Sequence, residues 1–244
     1  MTTVVVPAEL ADEEPLPALQ PEPLSREEAS VLYRASLLDV CTTVQHGEAD
    51  LLVNYPDAER VASDAPETEL RDLLADELAN PDAARYEVQV GETDDSRVGN
   101  ALTYLLETES EPTAGVLDPT VPLLRRDHIG AMAMKLRASD VVLGPTTDGG
   151  LYFAGFSEPV DFTDSYDSPA VETMTQRARE AGLSVEYLPV LPRIDTQSGL
   201  ATTAALIRAR DAAERIVPSR TTACLEELAL QIDDGTVAPS SDRS

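Results

Sequence analysis

Residues 140–155 decide the fold of this chain, and they read Asp140-Val-Val-Leu-Gly-Pro-Thr-Thr-Asp-Gly-Gly-Leu-Tyr-Phe-Ala-Gly155. The apolar run at 141–143 is too short for a stable helix and rich in β-branched residues, so it predicts a strand that a Gly-Pro pair ends. A second strand is predicted from Leu151. Between them, Asp148 and two glycines allow a tight turn that a ligand could approach closely. A plain glycine turn capped by the aspartate explains these residues equally well.

Strand and helix signals alternate on both sides of this pair. Apolar runs predict further strands at residues 2–6, 51–55, 86–90, 113–117 and 185–191. Between these strands, apolar residues recur at intervals of three and four positions, which predicts helices. The alternation is typical of an α/β sandwich with a mainly parallel central sheet. Residues 1–217 would form this domain, and residues 218–244 would add a last helix and a disordered acidic tail.

Several helix starts are predicted from capping residues. Ser25 with Glu28 three residues later forms a capping box for the first long helix. Another helix is predicted to begin at Asp95 or Ser96, and Ser168 followed by proline fits the start of a third. On the second central strand, the side chains of Tyr152 and Phe153 point to opposite faces. This alternation predicts that one ring is buried and that the other faces a site.

Charge is the strongest compositional feature of the chain. The 45 acidic residues outnumber the 18 basic ones, Lys135 is the single lysine, and the formal net charge is −27. Dispersed carboxylates keep a surface hydrated when salt screens charge, so we expect a protein of a salt-accumulating halophile. No basic face is available for phosphate contacts, which argues against nucleic acid as a partner.

The remaining composition suggests a cytoplasmic protein. Cys41 and Cys224 are far apart and form neither a metal motif nor a disulfide framework, so a reducing compartment is expected. No run approaches the roughly 18 apolar residues that a membrane span needs, and no signal peptide is expected.

Three carboxylates follow the ends of predicted strands: Asp118, Asp148 and Asp195. In open α/β sheets, ligands bind beyond the carboxyl ends of the strands. Carboxylates that converge there suit a hard divalent cation, Mg²⁺ or Mn²⁺, bound together with phosphate oxygens. In so acidic a chain, each of them taken alone is better explained as solvated surface.

Five segments, in order along about residues 2–207, resemble the small GT-A-type glycosyltransferase-like proteins of bacteria and archaea, also called selenodomain-associated transferases. Residues 140–155 are similar to that family's D-x-V-L-G-P-x-x-D-G-G-Y-Y-L-I-G centre. The other segments are 32–39, 97–102, 115–119, and 194–196 with Leu200. The resemblance implies a GT-A-like fold, that of the nucleotide-diphospho-sugar transferases.

The resemblance also implies roles for individual residues. Asp118 would bind the metal that bridges the nucleotide phosphates, and Arg97 would lie near the nucleotide. Asp148, with Gly149 and Gly150, would line the sugar or acceptor side, where Asp148 would act in catalysis. Asp195 would be either a second metal-binding carboxylate or a helix N-cap.

The chain departs from this family at two places. After its first strand the family has a basic loop, K-x-P-x-x-G-x-x-K-T-R-L, that would hold phosphate. Residues 7–19 here contain no Lys, Arg or Gly and include four acids. Arg97, Arg125 or Arg126 would have to replace that charge, or catalysis has been lost. In addition, Arg193 and Gly199 replace the outer aspartates of the family's D-x-D-T-x-x-D-L segment.

Three functions remain open on this basis. The first is transfer of a sugar from a nucleotide-diphospho-sugar to an unknown acceptor, with Mg²⁺ or Mn²⁺ as cofactor. The second is nucleotidyl transfer on the same fold. The third is a non-catalytic binding or regulatory role, which the acidic residues 7–20 favour.

Overall fold

A mainly parallel sheet forms the centre of the structure, which is a computed structural model that describes residues 1–10, 16–20, 22–47, 49–165, 169–233 and 235–238. The sheet strands are β1 (Thr3–Pro7), β2 (Asp50–Tyr55), β3 (Arg85–Val88), β4 (Ala114–Leu117), β5 (Val141–Pro145), β6 (Leu151–Phe156) and β7 (Val185–Tyr187). Their spatial order is β3-β2-β1-β4-β6-β5-β7. Within these described ranges β6 runs antiparallel to both neighbours, and the other strands share one direction. The predicted α/β architecture is confirmed.

Helices cover both faces of the sheet. They are α1 (Arg26–His46), α2 (Pro66–Ala75), α3 (Asp94–Thr103), α4 (Arg126–Leu136), α5 (Ala170–Glu180), α6 (Gln197–Ala212) and α7 (Ser219–Leu228). One core contains side chains of α3 and α5, and the other contains those of the remaining helices. The consecutive valines of β1 alternate between them: Val4 and Val6 join the larger core and Val5 the smaller. Both faces of a parallel sheet are therefore buried, which gives three layers.

The central strand pair of residues 140–155 forms as predicted, and β5 pairs with β6. Tyr152 and Phe153 are both buried, each about 1% exposed, so the prediction that only one of the two rings is buried is wrong. Gly144 and Gly115 leave the space that these two rings occupy. A Cβ atom at Gly144 would lie 2.6 Å from the Tyr152 ring, and one at Gly115 would lie 2.7 Å from the Phe153 ring.

The capping predictions have mixed outcomes. Ser25 and Glu28 form the expected box, with Ser25 N donating to Glu28 Oε2 at 2.9 Å and Glu28 N donating to Ser25 Oγ at 3.3 Å. Helix α3 is capped by Thr93, whose Oγ1 accepts from Ser96 N at 3.2 Å, rather than by Asp95 or Ser96. The predicted cap at Ser168 lies outside the described residues.

The C-terminal region is more ordered than a tail. Helix α7 ends at Leu228, and strands β8 (Gln231–Asp233) and β9 (Thr236–Ala238) pair antiparallel after it. Val237 is buried in the larger core, so the predicted disordered tail does not begin at residue 233. Residues 239–244 lie outside the described ranges. None of the helices in those ranges is long and apolar enough to cross a bilayer.

Asp39 attaches helix α7 to helix α1. Its carboxylate is 6% exposed and accepts hydrogen bonds from Thr221 N and Thr221 Oγ1, both at 2.8 Å, and from Arg220 N at 3.3 Å. Arg220 Nη1 also lies 3.4 Å from it. Pro218, at the start of α7, offers no side-chain cap. Asp39 therefore satisfies the first N–H groups of a helix that lies far away in sequence.

We expect Asp39→Ala to lower the free energy of unfolding by about 2–4 kcal/mol, because it leaves the buried donors Thr221 N and Thr221 Oγ1 without their acceptor, while Arg220 keeps its ion pair with Glu77. Chemical denaturation measures this. Asp72→Ala is the matched control, since Asp72 is exposed on α2, and it should change stability by less than about 0.5 kcal/mol. Equal effects of the two substitutions would contradict the assigned role.

Candidate functional site

Three carboxylates meet around one arginine at the carboxyl ends of the strands. Arg193 Nη1 lies 3.4 Å from Asp118 Oδ2. Arg193 Nη2 lies 3.0 Å from Asp148 Oδ2 and 3.3 Å from Asp195 Oδ2. The convergence expected of the three strand ends is therefore present, with a guanidinium between the carboxylates.

Asp118 is held by the turn that follows β4. Its Oδ1 accepts from Thr120 N at 2.7 Å and from Thr120 Oγ1 at 2.6 Å. Helix α1 holds the same turn, because buried Ser36 Oγ donates to Pro119 O at 2.6 Å. One carboxylate oxygen of Asp118 is thus satisfied locally, and the other faces Arg193.

Asp148 lies in the turn between β5 and β6. Its Oδ1 accepts from Thr146 Oγ1, and Gly149 takes a positive φ of 84°, which suits glycine. A Cβ atom at Gly150 would lie 2.8 Å from Thr146 Oγ1 and 3.4 Å from Arg193 Nη2. The two glycines therefore close the turn and admit the guanidinium.

Asp195 faces the cluster and does not cap a helix. The cap of α6 is Thr196, whose Oγ1 accepts from Gly199 N at 3.1 Å. Asp195 is therefore a further carboxylate of the cluster and not a helix N-cap. Position 199 requires glycine, because a Cβ atom there would lie 2.0 Å from the carbonyl oxygen of Arg193.

The cluster forms one wall of a crevice of about 480 Å³. The crevice lies beyond the carboxyl ends of β1, β2 and β4, where Pro7, Asn54 and Asp118 line it. Leu16 and Pro17 belong to the proline-rich segment, residues 7–23, and line the crevice. Tyr33 of α1 anchors this segment, because its hydroxyl accepts from Glu9 N at 2.8 Å. The volume is in the range of about 300–1,000 Å³ that small-molecule sites have.

Arginines line the crevice, but not all of those expected. Arg97 is at the rim, where its Nη1 donates to Glu92 O at 3.1 Å and its Nη2 pairs with Asp94. Arg60 also lines the crevice and donates to Gln89 Oε1 at 3.2 Å. Neither Arg125 nor Arg126 lines it, so these two do not replace the family's basic loop.

The site is acidic overall, and its electrostatics differ from one carboxyl to the next. Burial raises the pKa of Asp195 to about 6, and Asp118 and Asp148 add to this, whereas Arg193 opposes it. Burial acts in the same direction on Asp148, but the hydrogen bond from Thr146 and the charge of Arg193 outweigh it and keep that pKa below its usual value. Burial lowers the pKa of Arg193, and the three carboxylates more than reverse this. Asp148 and Arg193 are thus charged at neutral pH.

The arrangement does not fit the expected Mg²⁺ or Mn²⁺. Asp118 and Asp195, the expected ligands, direct carboxylate oxygens at Arg193 rather than at a gap of cation size. In the ranges the structure describes, no three His, Cys, Asp or Glu side chains are grouped so that they could hold a metal ion.

The sequence pattern does not reveal the residues that hold the carboxylates in place. Arg193 stands out in the sequence only as a departure from a family segment, although its guanidinium organises the site. Asp118 and Thr120 form an Asx turn, and Thr146, two residues before Asp148, donates its hydroxyl to that carboxylate. In both pairs a threonine two residues from an aspartate is a signal that the sequence contains.

The chain belongs to the family described as "Uncharacterized protein conserved in bacteria" (DUF2064), whose model matches residues 38–167. Among solved structures it is similar to a "putative nucleotide-diphospho-sugar transferase" from Desulfovibrio desulfuricans G20, with a TM-score of 0.74 and 20% identity over 93% of this chain and 95% of that one. A 4-diphosphocytidyl-2C-methyl-D-erythritol synthase from Anaerococcus prevotii DSM 20548 is also similar, with a TM-score of 0.51 and 14% identity over 85% of this chain and 98% of that one. At these identities the likeness shows the fold, which is that of the nucleotide-diphospho-sugar transferases. Comparison with curated proteins gave no match.

The buried carboxyl of Asp195 leads to a prediction about pH. Its pKa in the folded state lies above the unfolded value of about 3.9, so its stabilising contribution is complete below that pH and is lost as the pH rises through about 6. Asp195→Asn removes this loss. We expect the stability of the variant relative to the natural chain to rise by about 1–3 kcal/mol between pH 4 and pH 8.

Asp140→Asn is the control of opposite sign. Hydrogen bonds from Ser184 lower the pKa of Asp140, so the natural chain should keep its advantage over this variant above about pH 4 and lose it as the pH falls below that value. Denaturant titrations at several pH values measure both differences. A relative stability of Asp195→Asn that falls with rising pH would contradict the burial of this carboxyl.

Proposed function

We propose that this protein binds a nucleotide-diphospho-sugar in the crevice and transfers its sugar to an acceptor. The observation that carries the proposal is the division of the crevice into two ends. Towards the β3 edge of the sheet, Arg60 Nη1 and the carbonyl oxygen of Asn54 both contact the Gln89 side chain, and Arg97 of α3 also lines the crevice. The cluster around Arg193 lies at the loops that follow β4 and β5, further along the strand order. Guanidinium groups and amides suit phosphates and a base, whereas carboxylates suit the hydroxyls of a sugar.

In this proposal the nucleotide lies between β2, β3 and α3. Gln89 Nε2 is already oriented by Asn54 O at 2.9 Å, so the amide pair presents a fixed pattern of donors and acceptors. The donor's diphosphate then extends towards Arg193. Fixed guanidinium groups stabilise the negative charge that develops on the departing diphosphate as the sugar–phosphate bond breaks.

Asp148 is assigned to the acceptor. Its side chain is 41% exposed, the most accessible of the three carboxylates of the cluster, and it is ionised at neutral pH. An ionised carboxylate accepts a hydrogen bond from the acceptor hydroxyl and orients its oxygen towards the sugar carbon. Asp148 takes up or passes on the hydroxyl proton as the new glycosidic bond forms.

Removal of a crevice arginine tests the nucleotide end. Arg60→Ala should weaken binding of UDP or GDP by about five- to twentyfold, the loss of one charge-assisted contact. Arg60 is exposed, so folding should be unaffected. Arg137→Ala, an exposed arginine that does not line the crevice, should change the affinity by less than about twofold. Isothermal titration in molar KCl, chosen for the net charge of −27, gives both values.

The same titration decides whether the crevice is a nucleotide site. If the natural chain binds none of UDP, GDP, CDP and ADP, or their sugars, the proposal fails. If Arg60→Ala and Arg137→Ala weaken binding equally, the nucleotide lies elsewhere.

Catalysis is tested by Asp148→Asn, which preserves shape and removes the charge. Transfer of sugar from a bound donor should fall by about a hundredfold or more, while nucleotide affinity changes by less than about threefold. Chromatographic detection of the released nucleoside diphosphate measures turnover. Unchanged turnover in this variant would remove Asp148 from the mechanism, and release of pyrophosphate from a nucleoside triphosphate would indicate nucleotidyl transfer instead.

A non-catalytic binding role is the second candidate, and one observation favours it. The described residues 7–10 and 16–20, which follow β1 where the family has its basic loop, bring no lysine or arginine to the crevice. A site with few cations binds a diphosphate weakly and stabilises its departure poorly. Tight binding of a nucleotide-sugar without turnover, with every acceptor supplied, would support this role.

A further inference from the structure

We propose that the guanidinium of Arg193 takes the place of a divalent cation, so that the crevice works without a metal. The part of this proposal that concerns nucleotide binding rests on the proposed function. The part that concerns the metal involves the carboxylate cluster alone and can be tested without a nucleotide.

The contacts of Arg193 are those of a shared cation. One nitrogen, Nη2, is shared by Asp148 at 3.0 Å and Asp195 at 3.3 Å, while Nη1 contacts Asp118 at 3.4 Å. The three carboxylates come from three different connections of the sheet, after β4, between β5 and β6, and before α6. Without a positive charge among them, three carboxylates this close would repel one another strongly.

A divalent ion and Arg193 compete for the same oxygens. Asp118 Oδ1 is occupied by Thr120 and Asp148 Oδ1 by Thr146, so the oxygens that remain for a cation are mainly those that face Arg193. Binding of Mn²⁺ would require the guanidinium to leave. If the Arg193 side chain stayed nearby, the Mn²⁺ ion and the guanidinium would repel each other.

The surroundings keep Arg193 in position. Its side chain is 24% exposed, and its backbone lies against Gly199, where any side chain would collide with its carbonyl oxygen. Gly150 leaves the space in which Nη2 lies. Two glycines thus accommodate this arginine, one at its backbone and one at its guanidinium.

Arg193 still has donors to offer a ligand. A guanidinium has five N–H groups; those of Arg193 donate hydrogen bonds to Asp118 and Asp148, and Nη2 also lies 3.3 Å from Asp195. Arg193 Nε and Asp195 Oδ1 are buried and have no hydrogen-bond partner among the described residues. An oxygen-rich ligand such as a diphosphate would contact the 24% of the Arg193 side chain that is exposed, and it would reach the two buried atoms only after a rearrangement.

The experiment is a titration of Mn²⁺ into the protein alone, followed by electron paramagnetic resonance of the free ion. The natural chain should show no Mn²⁺ site in the crevice. Arg193→Gln should bind Mn²⁺ at least about tenfold more tightly than the natural chain does, because three carboxylates are left without a cation. Asp118→Asn in the Arg193→Gln background should remove that site again. Arg193→Lys, which keeps a positive charge, should gain none.

The second arm measures UDP and GDP binding to the natural chain with EDTA and with excess Mn²⁺. The two affinities should agree within about twofold, and Arg193→Gln should lose at least about tenfold of the EDTA affinity. A Mn²⁺ site in the natural chain that Asp118→Asn abolishes, or loss of nucleotide binding in EDTA, would overturn the proposal. If no nucleotide binds at all, the proposed function fails, and the Mn²⁺ titration still decides the role of Arg193. If Arg193→Gln does not fold, the natural chain and Arg193→Lys provide the same decision.

Discussion

The ion cluster around Arg193 is the interaction on which the site depends. Three connections of the sheet end in carboxylates that would repel one another, and one guanidinium holds them within 3.4 Å of its nitrogens. The cluster couples the loop after β4, the β5–β6 turn and the start of α6. It therefore fixes the geometry of the crevice wall as well as its charge. Its local partners, Thr120 and Thr146, hold the other oxygen of two of the carboxylates.

Helix α1 supports several of the segments that border the crevice. Tyr33, Ser36 and Asp39 follow one another at intervals of three, so they lie close together along the helix surface. Tyr33 holds the proline-rich segment at Glu9, Ser36 holds the turn at Pro119, and Asp39 holds the start of α7. One buried helix thus positions two loops that border the site and the last helix of the core. This explains polar side chains at buried positions of α1.

The fold could be predicted from the sequence because its signals are local and repeated. The strand pair at 140–155, the valines of β1 and the Ser25 capping box each follow from short-range patterns. The site was predictable only in part. The positions of the carboxylates after strand ends predict that they converge. Their shared partner cannot be predicted from spacing, because Arg193 contacts Asp118 across 75 residues of chain. Strands β8 and β9 are not predictable from the sequence for a similar reason, since burial of Val237 in the core, and not its local sequence, supports them.

The central claim is that a side chain, and not a metal, provides the cation of this site. The most direct measurement is a crystal structure grown with UDP and Mn²⁺, with anomalous diffraction data collected at the manganese absorption edge. The account predicts Arg193 between Asp118, Asp148 and Asp195, with no anomalous peak among these carboxylates. A manganese peak between Asp118 and Asp195, with the guanidinium of Arg193 displaced from the cluster, would contradict it.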